Sequence, residues 1–445
     1  MPVLWRTDRL RTLISILAVF LLAAAGICGL ALNADAQQSP TSPPKQQAQK
    51  PAAKPPAKTP QSTTTPKQTT QQQLAAKLDG AGPSQIGTST IAPYAFMVDA
   101  QTSAVLLFKD ADKPMAPSSM AKMMTAYLMF EDMASGKLKM DTRFSVSERA
   151  YAITRGVHSS TMFLERTDQP TVAELIQGVI VVSGNDASVA VAEGMAGSEE
   201  AFAERMNKRA RELGLTGSVF KNSSGWPADG QMVTARDLAL IALRTVNDFP
   251  QYYKYYAQRE FVFNGKTQAN RNLELKSVAG VDGLKTGHTD EGGFGQTTSA
   301  IREGRRLILV LNGLKTMADR AQETARLIEW GFRESSNTTI FRAGDVVSEA
   351  PVWLGTQDKV ALTIPVPLMM TTTVGQTAQP RVVAKFEGPL PAPIAKGTRV
   401  GTAAVTTPDG RTREYPLEAG ADVPKLGVVS RIAVIAKHYL FGWLS

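Results

Sequence analysis

Cysteine is all but absent: Cys28 is the single one in 445 residues. It falls in a segment read below as a removable leader, so the mature chain is expected to have no disulfide, no Cys-ligated metal and no thiol nucleophile. Histidine is nearly as scarce. His158, His288 and His438 stand far apart without metal-ligand spacing, which argues against a zinc hydrolase. No metal and no cofactor is expected. A basic folded face is missing as well. The net charge is +9, but residues 37–80 carry +5 of it and residues 81–445 only +3. A nucleic-acid groove needs Lys and Arg gathered on a folded surface, so no nucleic-acid partner is expected.

What is present begins with a leader. Residues 1–36 show Arg6, Arg9 and Arg11, an apolar run from Leu13 to Leu32, then Ala34-Asp35-Ala36. A basic start, an apolar middle and a small-x-small end predict a signal peptide cut after Ala36, hence export across a bacterial cytoplasmic membrane. An uncleaved anchor stays open, because about twenty apolar residues can span a bilayer. Residues 37–85 are Pro, Gln, Thr, Lys and Ala without apolar periodicity, and eight of the chain's 26 prolines lie between Pro40 and Pro66. Such a stretch cannot offset ordering entropy and reads as a disordered tether.

Residues 86–338 read as one α+β domain. Tyr94–Asp99 and Val105–Phe108 form a predicted hairpin. A helix is expected from Ser119 to about Ala134, rich in Met, Ala and Leu. Further helices are expected over Ala187–Met195, Phe202–Leu213, Ala235–Val246 and Ala318–Phe332, the last with Ala321, Ala325, Ile328 and Phe332 on one face. Strands are expected at Gly280–Thr286, Phe294–Ile301 and Leu307–Leu311. That order fits an antiparallel sheet covered by helices. Residues 339–424 carry short β-prone runs broken by Pro and Gly, at Val346–Val352, Lys359–Val366, Arg381–Glu387 and Arg399–Val405. They predict a small all-β domain. Residues 425–445 place Val428, Ile432, Ile435, Tyr439 and Trp443 on one helical face, which predicts an amphipathic helix lying on a membrane surface; a helix docked on the β-domain is the alternative.

Three short strings carry chemistry. Ser119-Met-Ala-Lys122 is Ser-x-x-Lys. Ser42-Pro-Pro-Lys45 and Ser218-Val-Phe-Lys221 match the same pattern, but only Ser119 opens a predicted helix. There, i and i+3 share a face, the helix N-terminus favours a developing alkoxide, and a neutral Lys122 can take the Ser119 proton. Ser183-Gly184-Asn185 follows, at an expected strand or loop edge; Ser183 can relay protons and Asn185 can hold a substrate amide. Lys285-Thr286-Gly287 lies on an expected strand, where Gly287 leaves room for a substrate backbone and Lys285 and Thr286 offer donors. A second cation near Lys122 is expected to depress its pKa, which a lysine base needs.

In this order, Ser-x-x-Lys, Ser-x-Asn and Lys-Thr-Gly are the three motifs of penicillin-binding proteins and serine β-lactamases. Pro117–Thr125 (PSSMAKMMT), Ser183–Ala187 (SGNDA), Ala228-Asp-Gly-Gln231, Phe263-Asn-Gly265, Asn270-Arg-Asn272 and Val281–Thr289 (VDGLKTGHT) narrow the likeness. Over about residues 90–336 the chain resembles the low-molecular-mass D-alanyl-D-alanine carboxypeptidases. The resemblance implies a penicillin-binding/serine β-lactamase-like catalytic domain, a small β-domain and an amphipathic tail. It makes Ser119 the nucleophile, Lys122 the general base, Ser183 and Asn185 cleft residues, and Lys285, Thr286, Gly287 and His288 the substrate-binding strand. The N–H groups of Ser119 and His288 would form the oxyanion hole, and Arg271 would help bind the terminal carboxylate. The implied substrate is a peptidoglycan stem ending in D-Ala-D-Ala, and β-lactams would acylate Ser119. Cleavage of peptidoglycan cross-links is the alternative, followed by a β-lactamase and an inactive wall-binding scaffold. No Glu-x-x-Leu-Asn string, expected of a class A β-lactamase, lies between Ser183 and Lys285. Trp226 and the glycine-rich Gly292–Gln296 stretch depart from the family pattern at the cleft rim.

Overall fold

The structure is a computed structural model describing residues 88–375, 379–408 and 410–441. The expected leader (1–36), the whole of the expected tether (37–85) and the two residues after it lie outside the described residues. Strand β1 (Tyr94–Asp99) pairs with β2 (Val105–Lys109) as the expected hairpin. A 3₁₀ turn over Ser118–Ala121 then runs into helix α1 (Lys122–Ala134). Helices α2 (Val172–Ile180), α3 (Asn185–Ala196), α4 (Glu199–Leu213) and α5 (Ala235–Asp248) complete the helical part. A small hairpin, β3 (Glu260–Phe263) with β4 (Lys266–Ala269), precedes β5 (Val281–Thr289), β6 (Gly293–Arg302) and β7 (Arg305–Leu314). Helix α6 (Met317–Glu334) closes the domain.

The five-stranded sheet runs β2-β1-β7-β6-β5, antiparallel throughout. Strands β1 and β7 read as apolar runs because both faces are covered, while β6 buries Gln296, Thr297, Thr298 and Ser299. Phe96, Val98, Ile308 and Val310 face the core shared with the helical part. Ala95, Met97, Leu307, Leu309 and Leu311 face a second core containing Leu327 and Ile328 of α6. Burying one such aliphatic side chain contributes about 1.5–3 kcal/mol, so the sheet is a rigid platform for whatever its edge strand β5 carries.

Several expectations need correction. Ser119 sits in the 3₁₀ turn, not in the first α-turn; i and i+3 eclipse there, so the pairing with Lys122 survives. Of the two settings expected for Ser183, a strand edge or a loop edge, the structure has the loop, between two helices. Its preceding apolar run is helical because Thr171 and Glu174 form a reciprocal capping box that starts α2. The buried stripe of α6 is Arg320, Thr324, Leu327, Ile328 and Gly331, displaced from the predicted face. The β3–β4 hairpin, turned by Asn264-Gly265, did not emerge from the strand pattern.

The following domain is all-β, as expected, and begins directly after α6 with β8 (Ser335–Phe341). β9 (Val346–Trp353), β10 (Lys359–Thr363), β11 (Leu368–Thr373), β12 (Arg381–Phe386), β13 (Leu390–Pro391), β14 (Arg399–Thr406) and β15 (Thr412–Ala419) follow. β8, β11, β13 and β15 were not anticipated, and the expected strand at 359–366 stops at Thr363, just short of Pro365. Helix α7 (Val428–Phe441) ends the described chain, with Val428, Val429, Ile432 and Ile435 exposed. Tyr439 and Trp443 lie outside the described side chains. No described helix is long and apolar enough to cross a membrane.

Candidate active site

The sheet edge and the helical part meet along an open cleft of about 830 Å³. Ser119, Ser183, Asn185, Thr286, Arg271 and Arg320 all line it. They come from five stretches of chain, Ser183 and Asn185 sharing one, so the fold performs the assembly that the three motifs implied. Ser119 lies in the 3₁₀ turn that leads into α1, Asn185 is the first residue of α3, and Lys285 to His288 lie along edge strand β5. Backbone strain collects here: Ser118 (φ 46°) and Ser183 (φ 63°) are both left-handed without being glycine.

Lys122 is the centre of the polar network. Its side chain is 1 % exposed. Nζ lies 2.9 Å from Ser119 Oγ, 2.7 Å from Asn185 Oδ1 and 2.6 Å from the carbonyl oxygen of Ser224. Burial pulls its pKa down from 10.5 to about 7, against the opposing pull of the Asp186 and Glu199 carboxylates. The sequence reading assigned this depression to a neighbouring cation; burial causes it. The repulsion between the two lysines acts on Lys285 instead. Lys285 is 2 % exposed and held well below its ordinary value by burial first, then by Lys122, Arg320 and Arg271. Its Nζ donates to Ser183 Oγ at 2.8 Å and to the Thr286 carbonyl at 3.0 Å.

The walls are pinned by backbone contacts. Asp186 accepts from Thr161 Oγ1 (2.6 Å), Met162 N (2.8 Å) and Leu164 N (3.1 Å), fixing the segment that faces β5. Gly287 has a packing role besides the room expected of it for a substrate backbone. A Cβ there would stand 3.0 Å from Ser118 Cβ and 3.3 Å from the Pro117 carbonyl oxygen, so glycine lets β5 close onto the turn that carries Ser119. Gly225 is more constrained still: at φ +78° its Cβ would meet the Ser118 carbonyl oxygen at 1.8 Å.

Of the expected site residues, Ser119, Ser183, Asn185, Thr286, Gly287, His288 and Arg271 line one cleft. Lys122 and Lys285 sit directly beneath it, bonded to Ser119 and Ser183. Arg271 is exposed, with its nearest polar contact at 3.5 Å, and His288 is exposed with its ring stacked on Phe294. Two contributors were missed. The Ser224 carbonyl has no sequence signature, being backbone. Arg320 had one: a cation at the head of the buried stripe of α6. It is 5 % exposed, its Nε has no hydrogen-bond partner among the described residues, and burial lowers its pKa.

Comparison with known proteins agrees with this geometry. Residues 82–316 match the family model described as D-alanyl-D-alanine carboxypeptidase, and residues 336–425 match the model for the C-terminal domain of penicillin-binding protein 5. The chain is 35% identical to the D-alanyl-D-alanine carboxypeptidase DacA of Escherichia coli, over 78% of this chain and 88% of that one. It superposes on penicillin-binding protein 5 of Haemophilus influenzae with a TM-score of 0.69 at 33% identity, covering 76% of this chain and 99% of that one. The cefotaxime-bound penicillin-binding protein D2 of Listeria monocytogenes matches at 26% identity and a TM-score of 0.51, over 55% of this chain and 99% of that one. The chain belongs to the D-alanyl-D-alanine carboxypeptidase family of serine peptidases.

Proposed function

We propose that Ser119 and Lys122 are the nucleophile and general base of a carboxypeptidase that removes the terminal D-alanine from peptidoglycan stems. The observation that carries this reading is the set of three oxygens around Lys122 Nζ. Asn185 Oδ1 and the Ser224 carbonyl have no proton to give. A neutral amine therefore donates its two N–H groups to them, and its lone pair is left facing Ser119 Oγ.

The reaction follows from that geometry. Ser119 Oγ bonds to the carbonyl carbon of the penultimate D-alanine while its proton passes to Lys122 Nζ. The backbone N–H groups of Ser119 and His288 receive the developing oxyanion. As the tetrahedral carbon collapses, the C–N bond breaks and the proton held on Lys122 passes to the leaving amine through the Ser183 hydroxyl, which Lys285 holds, so Lys122 is neutral again. Water then attacks the acyl-enzyme while Lys122 takes its proton, the ester bond to Ser119 Oγ breaks, Lys122 returns the proton to Oγ, and the shortened stem leaves. Arg320 receives the free terminal carboxylate, with the exposed Arg271 at the mouth and Thr286 on the strand beside it. A buried cation set aside for a free C-terminus favours a carboxypeptidase over a cross-link endopeptidase. β-Lactams follow the same first step and stop at the acyl-enzyme.

Export rests on the leader pattern of residues 1–36. Attachment to the outer face of the cytoplasmic membrane rests on the row of exposed aliphatic residues along α7. Ser119→Ala should abolish covalent labelling by a fluorescent penicillin; continued labelling would remove Ser119 from the mechanism. Deleting Gly427–Ser445 should move the protein into the soluble fraction, and retention on membranes would refute the tail as its attachment.

A further inference from the structure

One buried carboxylate does more than pull on the Lys122 pKa from a distance. Glu199, the first residue of α4, is 3 % exposed and stands behind the cleft. Its Oε2 takes a 2.7 Å ion pair from Arg149. Its Oε1 accepts from the Ser223 hydroxyl at 2.6 Å and from the Ser223 backbone N–H at 3.1 Å. A carboxylate placed only to favour a helix N-terminus needs neither contact, and Ser198 already caps α4.

Ser223 is held from its other side too. Its carbonyl oxygen accepts from Thr125 Oγ1 of α1 at 2.6 Å. Thr125 stands one helical turn beyond Lys122. The next carbonyl along the chain, that of Ser224, is the one 2.6 Å from Lys122 Nζ. Glu199 and Thr125 thus clamp Ser223, the residue directly before the one whose carbonyl accepts from the lysine. Without the clamp, the Ser224 carbonyl loses the register that points the Lys122 lone pair at Ser119.

We propose that Glu199 is a positioning residue for the general base: through Ser223 it fixes the Ser224 carbonyl, and so the direction in which Lys122 accepts the Ser119 proton. This rests on the reading of Lys122 as base. Glu199 also acts by charge. The charged groups around Lys122 are Asp186 on α3, Glu199 on α4 and Lys285 on β5. Asp186 is occupied with the facing wall segment, which leaves Glu199 as the carboxylate tied to the loop that touches Lys122. Its negative charge holds the Lys122 pKa up, opposing burial.

Three variants of the full chain separate geometry from charge. The readout is the rate constant for acylation by a fluorescent penicillin from pH 5 to 9, with the melting temperature of each variant. Ser223→Ala removes a donor and keeps the charge, so the high-pH plateau should fall severalfold with the acid limb in place. Glu199→Gln keeps an acceptor for Ser223 and removes the charge, so the acid limb should move to lower pH with a smaller plateau loss. Glu199→Ala should do both, with a plateau loss of about tenfold. Wild-type plateau and limb in Ser223→Ala and Glu199→Gln overturn the proposal. So does a loss of rate that only follows the loss of folded protein with the limb unmoved. If Glu199→Ala folds poorly, the other two variants decide the matter. Lys122→Ala is the control for the reading beneath: acylation at the wild-type rate in that variant removes Lys122 as base, whatever the Glu199 variants do.

Discussion

The pH dependence of acylation tests the buried lysine base most searchingly. Lys122 is 1 % exposed, and burial brings its pKa from 10.5 to about 7. A base works when deprotonated, so activity should be full above this value and lost as pH falls through it. About half the enzyme is competent at pH 7 and about one part in a hundred at pH 5. Had the lysine kept its ordinary value, only about one molecule in three thousand would be competent at pH 7, a difference of about 5 kcal/mol. The assay is stopped-flow acylation by a fluorescent penicillin between pH 4.5 and 9.5, where hydrolysis of the acyl-enzyme does not interfere. The expected profile has an acid limb centred near pH 7, falling about tenfold per pH unit below it. A limb above pH 9 would mean that burial does not set the base. A flat profile down to pH 5 would mean that Lys122 is not the base.

Three further predictions follow from the same geometry. Lys122→Met should stabilise the fold while abolishing acylation, because an amine whose folded pKa lies below its unfolded value costs stability when it is protonated. Wild-type stability should rise with pH between about 7 and 10.5. The variant's stability relative to wild type should therefore be highest at and below pH 7 and fall toward pH 10.5, and a difference that does not change with pH would contradict it. Gly225→Ala forces a Cβ to 1.8 Å from the Ser118 carbonyl oxygen at a left-handed φ. It should lower the acylation rate about a hundredfold and the melting point by several degrees, and wild-type kinetics would show that the loop yields freely. Arg320→Leu should raise KM about tenfold or more for peptides ending in a free carboxylate and leave C-terminal amides unaffected; equal effects on both would remove Arg320 from carboxylate binding.

Much of this was legible in the sequence where a local rule and the tertiary outcome coincide. The hairpin of β1 and β2 followed from two apolar runs, and α3 to α5 from helical spacing. The three motifs converged on one cleft because each has fixed local geometry. Legibility failed where two physical readings compete. The run before Ser183 is apolar enough for a strand, and only the Thr171–Glu174 capping box makes it a helix. β11 and β15 carry threonine, arginine and glutamate on faces that a two-stranded pair and a sheet with one wet side leave open, so alternation is weak. Arg320 was passed over because the predicted face of α6 was placed one position away. The hold of Glu199 on the Ser224 carbonyl runs through backbone atoms, which residue types do not encode.

The most direct test of the account is D-alanine release from a peptidoglycan stem pentapeptide ending in D-Ala-D-Ala, measured for the full chain and for Ser119→Ala in parallel. The account predicts one equivalent of D-alanine per stem from the first and none from the second. Release by both, or by neither, would contradict it.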